Sequence, residues 1–251
     1  MDAQSKRITL TTALVAIFSA FAVSAQAADI KVLSDGPIKP ALTKVADLFR
    51  QETHTQVHIA FDPWVQKRIE GGEAADVVIV EPDFVEELVR AGKVNAGNRP
   101  IIGHVGFGLG NRRDSPAHDI SSPEELKQTL LGADTIVFNN VGSGNSFAKV
   151  LEKLGIAEVL KPKIVRTTTP DGIFELVLKG NGDDIMAGTI PLIATTPGIK
   201  LLGPFPGDLQ SYLTFTAVLT TNASQPETAE SFIKFLVSSK AKDTFAANGV
   251  N

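Results

Sequence analysis

Residues 28–251 alternate short β-rich runs with amphipathic helical segments, and this alternation predicts an α/β fold. The run 76–80, which reads Asp-Val-Val-Ile-Val, is apolar on both faces, as is typical of a strand inside a parallel sheet. In 38–52, by contrast, apolar residues recur at helical spacing, at Leu42, Val45, Leu48 and Phe49. The sequence therefore predicts a parallel sheet that helices cover on both sides.

Three strand–helix pairs are predicted in the first part of the chain. The strands are 29–34, 55–61 and 76–80, and the helices that follow them are 38–52, 64–71 and 83–91. Asp35-Gly36-Pro37 ends the first strand. Pro82 suits the first turn of the third helix, and Gly92 suits its C-terminal end.

The second part of the chain repeats this pattern. A helix begins at Ser121-Ser122-Pro123-Glu124-Glu125, where a capping hydroxyl, a proline and two carboxylates stand together. The predicted elements after it are strand 135–139, a Gly/Ser/Asn loop 140–146, helix 147–154, strand 163–167, helix 171–179 and strand 184–187. A turn-rich connection 197–210, strand 212–219 and closing helices over 225–245 complete the chain.

The first 27 residues resemble an export signal. Lys6 and Arg7 precede an apolar stretch over 10–23, and Ala25-Gln26-Ala27 supplies the small-x-small pattern that signal peptidase cuts. The apolar stretch is short for a membrane span, so cleavage after Ala27 is favoured over an anchor. We expect a periplasmic protein without a membrane anchor.

Composition excludes several classes of protein. The chain has 24 basic and 28 acidic side chains, and this mildly acidic balance argues against nucleic acid or anionic lipid as the main partner. It contains no cysteine, which excludes disulfides, thiolate metal sites and a cysteine nucleophile. Its histidines show no metal-like clustering, and no nucleotide or zinc-protease motif is present. We expect a monomer that carries no metal and no cofactor.

Three segments in order carry a family resemblance: 75–80 followed by a helix, the loop and helix 142–154, and the ending 229–249. The last resembles the terminal helices of bacterial extracellular solute-binding proteins, and the whole of 28–251 is similar to their molybdate-binding branch. The resemblance implies a two-lobed type II periplasmic binding fold, with two crossovers between the lobes and the ligand in the cleft. The crossovers would lie near 103–110 and 203–216. Lobe one would then be 28–105 plus 211–251, and lobe two 106–210.

The sequence departs from the molybdate binders at their ligand-binding turns. Those proteins use a serine after the first strand, a Gly-Ser-Ser-like turn after the second and a tyrosine from the second lobe. Here Ser34 occupies the first place, but the second turn reads Asp62-Pro63-Trp64, and Met186-Ala187-Gly188-Thr189 stands where the tyrosine is often found. A carboxylate repels an oxyanion and Pro63 lacks an N–H donor, so the resemblance does not extend to molybdate as the ligand.

Ligands of such folds lie beyond the carboxyl ends of the strands, where loops lead into helix N-termini. This rule selects as ligand-binding candidates Ser34, Lys39, Trp64, Lys67, Arg68, Ser143, Asn145, Ser146, Arg166 and Thr167. Thr189 is a further candidate from the resemblance, because it ends the segment that stands where the resembling proteins often carry their tyrosine. Glu81 ends the third strand and is the candidate base if the protein is an enzyme.

Each candidate also has a purely structural interpretation. The run 142–146 could simply cap a helix, Arg166 could be a surface residue, and Trp64 could belong to the core. Glu81 could be a solvated carboxylate at a strand end. Lys67 and Arg68 are adjacent on a helix and point about 100° apart, so only one of them is expected to face the cleft.

Two functions remain open. The first is a binding protein that captures a small organic anion, such as a carboxylate, and delivers it to an ABC permease by closing its lobes. The second is an enzyme on the same fold, because exported aconitate isomerases are similar to this branch of binding proteins. Such an isomerase would use basic residues to hold the three carboxylates and Glu81 or a histidine to move a proton.

Overall fold

The computed structural model describes residues 29–140 and 142–251. The predicted signal peptide, 1–27, lies outside these residues. Within the described part of the chain, no helix is long and apolar enough to cross a membrane.

The predicted strand–helix pairs of the first part are confirmed, with bounds that differ from the prediction by three residues or fewer. They are β1 (Ile30–Ser34), α1 (Lys39–Thr53), β2 (Val57–Phe61), α2 (Val65–Glu70), β3 (Val77–Val80) and α3 (Pro82–Arg90). The helix starts agree with their sequence signals, since Pro82 occupies the first turn of α3.

The remaining elements begin with a 12-residue strand, β4 (Ile101–Arg112), that spans the first predicted crossover. After it come α4 (Pro123–Gly132), β5 (Thr135–Asn139), α5 (Gly142–Lys153), α6 (Ala157–Leu160), β6 (Ile164–Thr167), α7 (Pro170–Lys179), β7 (Asp184–Thr189), α8 (Ile190–Thr195), β8 (Ile199–Pro204), β9 (Tyr212–Leu219), α9 (Pro226–Leu236) and α10 (Ser239–Ala246).

Two predicted loops contain regular structure, so these predictions were wrong. The loop 140–146 is mostly helix, because α5 begins at Gly142 and its Gly144 N–H donates to the Asn139 side chain at 2.9 Å. The connection 197–210 contains strand β8 and a short 3₁₀ turn. The strand β8 ends at Pro204. A proline is tolerated there because, among the described strands, β8 pairs only with β4 and therefore has a free edge.

The sheet is mixed rather than wholly parallel. Its strand order is β2-β1-β3-β9-β4-β7-β5-β6, with β8 added on β4. β1, β2 and β3 run parallel to one another, as do β5, β6 and β7. The antiparallel strands β9 and β4 join the two parallel groups. The parallel prediction therefore holds within each half of the molecule.

β4 changes its partners along its length. Its residues up to Gly106 pair with β9, and those from Phe107 pair with β7. A side chain at Gly108 would place its Cβ 2.3 Å from the Gly203 carbonyl oxygen of β8, which explains glycine at this close strand approach. The change occurs near the predicted lobe boundary between 105 and 106, although the boundaries 28–105, 106–210 and 211–251 themselves stay a prediction.

Each half of the sheet has its own apolar core. In the first half, Phe49 of α1 packs edge-on against Phe232 of α9, with ring centroids 5.1 Å apart. In the second, Phe138 of β5 and Phe147 of α5 make the same kind of contact at 5.0 Å. Each half of the sheet thus has two apolar clusters of its own, and separate cores of this kind are what a two-lobed architecture requires.

Candidate functional site

Three neighbouring parallel strands each end in a carboxylate. Ser34, the last residue of β1, is paired with Phe61 of β2 on one side and Ile79 of β3 on the other. Asp35, Asp62 and Glu81 directly follow these three strands. Because parallel strands end at the same edge of a sheet, the three carboxylates come together there.

This edge faces a cavity of about 630 Å³ that is lined by both halves of the molecule. The apolar walls include Phe61, Trp64, Phe84, Ile173, Phe174 and Leu192. The charged residues in the lining are Asp35, Asp62, Glu81, Asp171, Lys39 and Lys67. The neutral polar residues are Gln66, Asn139, Asn140, Ser143, Asn145, Thr169 and Thr189. An apolar cavity with a small number of convergent polar groups is the usual form of a small-molecule site.

Seven of the predicted site residues line this cavity: Lys39, Trp64, Lys67, Glu81, Ser143, Asn145 and Thr189. The Trp64 side chain lies at the cavity and is half exposed, so it is not a core residue. Whether these residues contact a ligand stays a prediction.

Lys67 and Arg68 differ in the way that helix geometry predicts. Lys67 lines the cavity, and its Nζ lies 4.6 Å from the centre of the Trp64 ring. Arg68 is not part of the lining, because its guanidinium binds both carboxylate oxygens of Glu73 at 2.5 and 2.6 Å and Asp62 at 3.1 Å. The Asp62 carboxylate also accepts the Trp64 N–H at 2.7 Å. Arg68 thereby compensates the charge of Asp62 and holds the turn after β2.

Arg166 is exposed and lies outside the cavity lining. Its guanidinium stacks 4.3 Å from the centre of the Phe138 ring and donates to the Asn145 side-chain oxygen at 3.2 Å. Asn145 itself is part of the lining. The structure therefore places Arg166 where it positions a cavity residue.

Three further candidates also lie outside the cavity lining. The Ser34 hydroxyl is fully buried and donates to the Asp35 carbonyl oxygen at 3.0 Å. The Thr167 hydroxyl donates to the Thr169 carbonyl oxygen at 2.8 Å. Ser146 lies one residue beyond the lining residue Asn145. Ser34 and Thr167 thus stabilise the turns that follow their strands.

Two of the strand-end carboxylates hold protons more tightly than usual. Burial raises the pKa of Asp35 from 3.8 to about 6; the N–H of Gly36 opposes the rise and the charge of Asp62 adds to it. Burial also raises the pKa of Glu81, with further contributions from the charges of Asp35 and Asp83. Neither carboxylate forms an ion pair with any lysine, arginine or histidine in residues 29–140 and 142–251.

The two cavity lysines face aromatic rings. The ammonium of Lys39 lies 5.7 Å from the centre of the Phe61 ring, and that of Lys67 lies over Trp64. Neither ammonium lies within 4 Å of a carboxylate oxygen of the described chain. Cation–π contacts hold these side chains without neutralising them, so both charges can act on a bound anion.

The second half of the molecule lines the cavity with the first turns of α5 and α7. The Asn139 side chain caps α5 and donates to the Ser143 hydroxyl at 2.8 Å, while the Thr169 hydroxyl accepts the Gly172 N–H of α7 at 3.3 Å. Thr189 is 3% exposed, and its hydroxyl has no hydrogen-bond partner in the described chain. A buried hydroxyl without a partner on a cavity wall is suited to bind a ligand.

The strand-end rule also covers Asp35, which directly follows β1 but is not among the candidates selected from the sequence. Asn139, Asn140 and Thr169 were missed as well, since only their neighbours were chosen. No group of three or more acidic, histidine or cysteine side chains in the described residues could hold a metal ion.

Comparison with known proteins identifies relatives along nearly the whole chain. The aconitate isomerase of a Pseudomonas species is 23% identical over 229 residues, which is 88% of this chain and 87% of that protein. The periplasmic molybdate-binding protein of Azotobacter vinelandii superposes with a TM-score of 0.74 at 20% identity, covering 88% of this chain and 98% of that one. PEB3 of Campylobacter jejuni with bound L-phospholactate gives a TM-score of 0.66 at 17% identity, covering 89% of this chain and 99% of that one.

These structural likenesses confirm the two-lobed type II periplasmic binding fold that the sequence resemblance implied. The family model of the bacterial extracellular solute-binding proteins matches residues 30–251. The chain therefore belongs to the bacterial extracellular solute-binding protein family, and it is similar in fold to a molybdate-binding protein.

Proposed function

We propose that this protein is the periplasmic binding component of an ABC uptake system and captures a small organic anion in the cavity between its lobes. Membership of the solute-binding family supports a transport role, and the signal-like residues 1–27 support export. N-terminal sequencing of the mature protein from periplasmic extracts should begin at Ala28.

The residues that line the cavity are the main support for an organic ligand. A tetrahedral oxyanion has only a few atoms and needs donors on every side, whereas about 630 Å³ lined by Phe61, Trp64, Phe84 and Phe174 suits a carbon skeleton. The turn after β2 presents Asp62 and Pro63 instead of hydroxyl donors. PEB3, which has the same fold, was solved with L-phospholactate, an organic acid.

The acidic groups of such a ligand have suitable partners in the cavity. Lys39 and Lys67 supply two positive charges that have no carboxylate partner among the described residues. The first turns of α5 and α7 add the positive ends of two helix dipoles. The Thr189 hydroxyl adds a donor that has no partner in the described chain. The ligand would thus bridge the two lobes and favour their closure.

Thermal unfolding with a panel of anions tests this proposal. Citrate, cis- and trans-aconitate and L-phospholactate should include at least one stabilising ligand, which at a hundredfold excess over its dissociation constant adds about 2.7 kcal/mol to the free energy of unfolding. Molybdate, tungstate and sulfate should leave the melting temperature unchanged. Trp64 is the only tryptophan of the chain, so the same ligand should also alter its fluorescence. Submicromolar binding of molybdate, with no response to the organic acids, would contradict the proposal.

A second candidate function is isomerisation of the bound acid. It is favoured by the raised pKa values of Asp35 and Glu81, because a carboxylate with elevated pKa is suited to take a proton from carbon at neutral pH. The aconitate isomerase relative agrees with it. Ultraviolet absorbance of cis- and trans-aconitate mixed with the purified protein would detect conversion. Glu81→Gln should then retain binding and lose most of the turnover; an unaltered absorbance with the wild type removes this function and leaves transport.

A further inference from the structure

Asp35 stands in the middle of the three strand-end carboxylates. Of its two neighbours, Asp62 is compensated by Arg68, while Glu81 has no ion pair in the described residues. The Oδ1 atom of Asp35 accepts the Gly36 N–H at 2.7 Å. Its Oδ2 atom has no hydrogen-bond partner in the described chain, and the residue lines the cavity.

The charged groups around Asp35 come from four elements. Lys39 lies one turn along on α1. Asp62 belongs to the turn after β2, and α2 adds Lys67 and the Asp62 partner Arg68. Glu81 precedes α3 and has Asp83 beside it, and Asp171 lines the cavity from α7. The acidic side chains in this set outnumber the basic ones. An organic anion that enters the cavity adds further negative charge beside them. Carboxylates that share such a site do not all remain ionised.

We propose that Asp35 takes up a proton from solvent when the organic acid binds, and donates it from Oδ2 in a hydrogen bond to a carboxylate or phosphate oxygen of the ligand. This inference rests on the proposed function and names the way in which the site recognises its ligand. One proton enters the complex, and no covalent bond of the ligand changes. A hydrogen bond of this kind is charge-assisted and favours an acidic oxygen over a neutral one.

The elevated pKa of Asp35 agrees with this role. At about 6, it leaves the carboxyl ionised at pH 8 in the unliganded protein yet allows protonation in the complex. Binding at pH 8 then requires proton uptake, and the affinity falls as the pH rises. trans-Aconitate is fully ionised at pH 8, so this ligand itself does not contribute to the dependence there. The phosphate of L-phospholactate has a second pKa of about 6 and still gains some charge between pH 7 and pH 8.

Calorimetry with trans-aconitate, and with L-phospholactate in a parallel series, measures the uptake directly. Titrations at pH 8 in HEPES and in Tris, whose ionisation enthalpies differ, should show close to one proton taken up per ligand. Between pH 7 and pH 8.5 the dissociation constant should rise about tenfold per unit. Asp35→Asn keeps a donor at the same place, so it should bind at pH 8 at least as tightly as the wild type and without proton uptake.

Asp171→Asn is the matched control, because it also removes a negative charge from the cavity lining but leaves the strand-end carboxylates in place. It should keep the proton uptake and the pH dependence. Binding without proton uptake in the wild type, or an Asp35→Asn variant with unchanged pH dependence, would overturn the role of Asp35 and leave the proposed function intact. If neither acid produces a binding heat or a melting shift, the proposed function itself fails.

Discussion

The two walls of the cavity differ in the kind of polar group that they present. The lobe-one wall carries the strand-end carboxylates Asp35, Asp62 and Glu81 together with Lys39 and Lys67. The lobe-two wall, which β5, α5, α7 and β7 contribute, presents mainly hydroxyls and amides at helix starts. Its acidic residue in the lining is Asp171. One wall therefore acts through charge, and the other through the positions of neutral donors.

This difference separates two parts of ligand recognition. Charges act over several ångströms and depend on pH and salt, so the lobe-one wall should govern how strongly an anion is attracted. Neutral donors act only within hydrogen-bond distance. The lobe-two wall should therefore govern which anion allows the lobes to close.

The largest effect on binding is expected from the lysines of the lobe-one wall. Lys39→Ala removes a charge that has no carboxylate partner in the described chain, so an organic acid should bind about 1.5–3 kcal/mol more weakly. Calorimetry at two salt concentrations checks this, because the loss should be smaller at high salt. Lys240→Ala is the control, since that lysine pairs with Glu52 outside the cavity lining. Equal losses in both variants would show that net charge, rather than the wall, governs affinity.

A second expected effect concerns stability without ligand. The pKa of Asp35 is higher in the folded protein than its ordinary value of 3.8, so folding favours the protonated form. Stability should be greatest below about pH 4 with respect to this group, fall as the pH rises to about 6, and stay reduced above it.

Asp35→Asn removes that penalty and keeps an oxygen for the Gly36 N–H. It should stabilise the unliganded protein at pH 8 by about 1–2 kcal/mol, once solvent screening in the open cavity is allowed for, and should give no gain at pH 4. The corresponding rise in melting temperature is about 3–6 °C. Calorimetric melting at both pH values measures it; a gain of the same size at pH 4 would mean that the charge of Asp35 is not the cause.

The fold of the lobe-one wall could be predicted from sequence because its signals are local. The strand β3 is a continuous apolar run, and α1 has apolar residues at helical spacing. By contrast, β4 and β8 contain glycines whose role appears only where the strands approach closely, as at Gly108 and Gly203. Such approaches depend on residues about 95 positions apart in the chain, which no local pattern records.

The sequence predicted those residues of the cavity lining that the strand-end rule can identify. This rule located Lys39, Trp64 and Lys67 in the lining because it needs only the order of strands and helices. It could not separate cavity residues from those that support them. Arg68 is held by Glu73, and Arg166 is held by Phe138 and Asn145, and these partners are fixed by side-chain packing.

A smaller effect on binding is expected from the lobe-two wall. Thr189→Val replaces a buried hydroxyl that lacks a partner in the described chain by a methyl group of similar size. The free energy of unfolding should stay unchanged or rise slightly, while a ligand hydrogen bond worth about 0.5–1.5 kcal/mol is lost. Ser115→Ala is the matched control, because the Ser115 hydroxyl is also buried without a partner but is not part of the cavity lining. If both variants bind equally well, the Thr189 hydroxyl does not contact the ligand.

The smallest loss of binding affinity is expected from Arg166→Ala. This variant tests whether Arg166 acts by positioning a residue of the lobe-two wall rather than by contacting the ligand. A direct pair with a ligand carboxylate would make Arg166→Ala cost about 1.5–3 kcal/mol of binding. The structure instead places the guanidinium on the Phe138 ring with one hydrogen bond to Asn145, so the loss should stay below about 1 kcal/mol. Asn145→Ala should cost at least as much, and the double variant should cost less than the sum, because Arg166 acts through Asn145. A strong salt dependence of the Arg166→Ala loss, together with additivity in the double variant, would instead indicate that the arginine reaches the ligand when the lobes close.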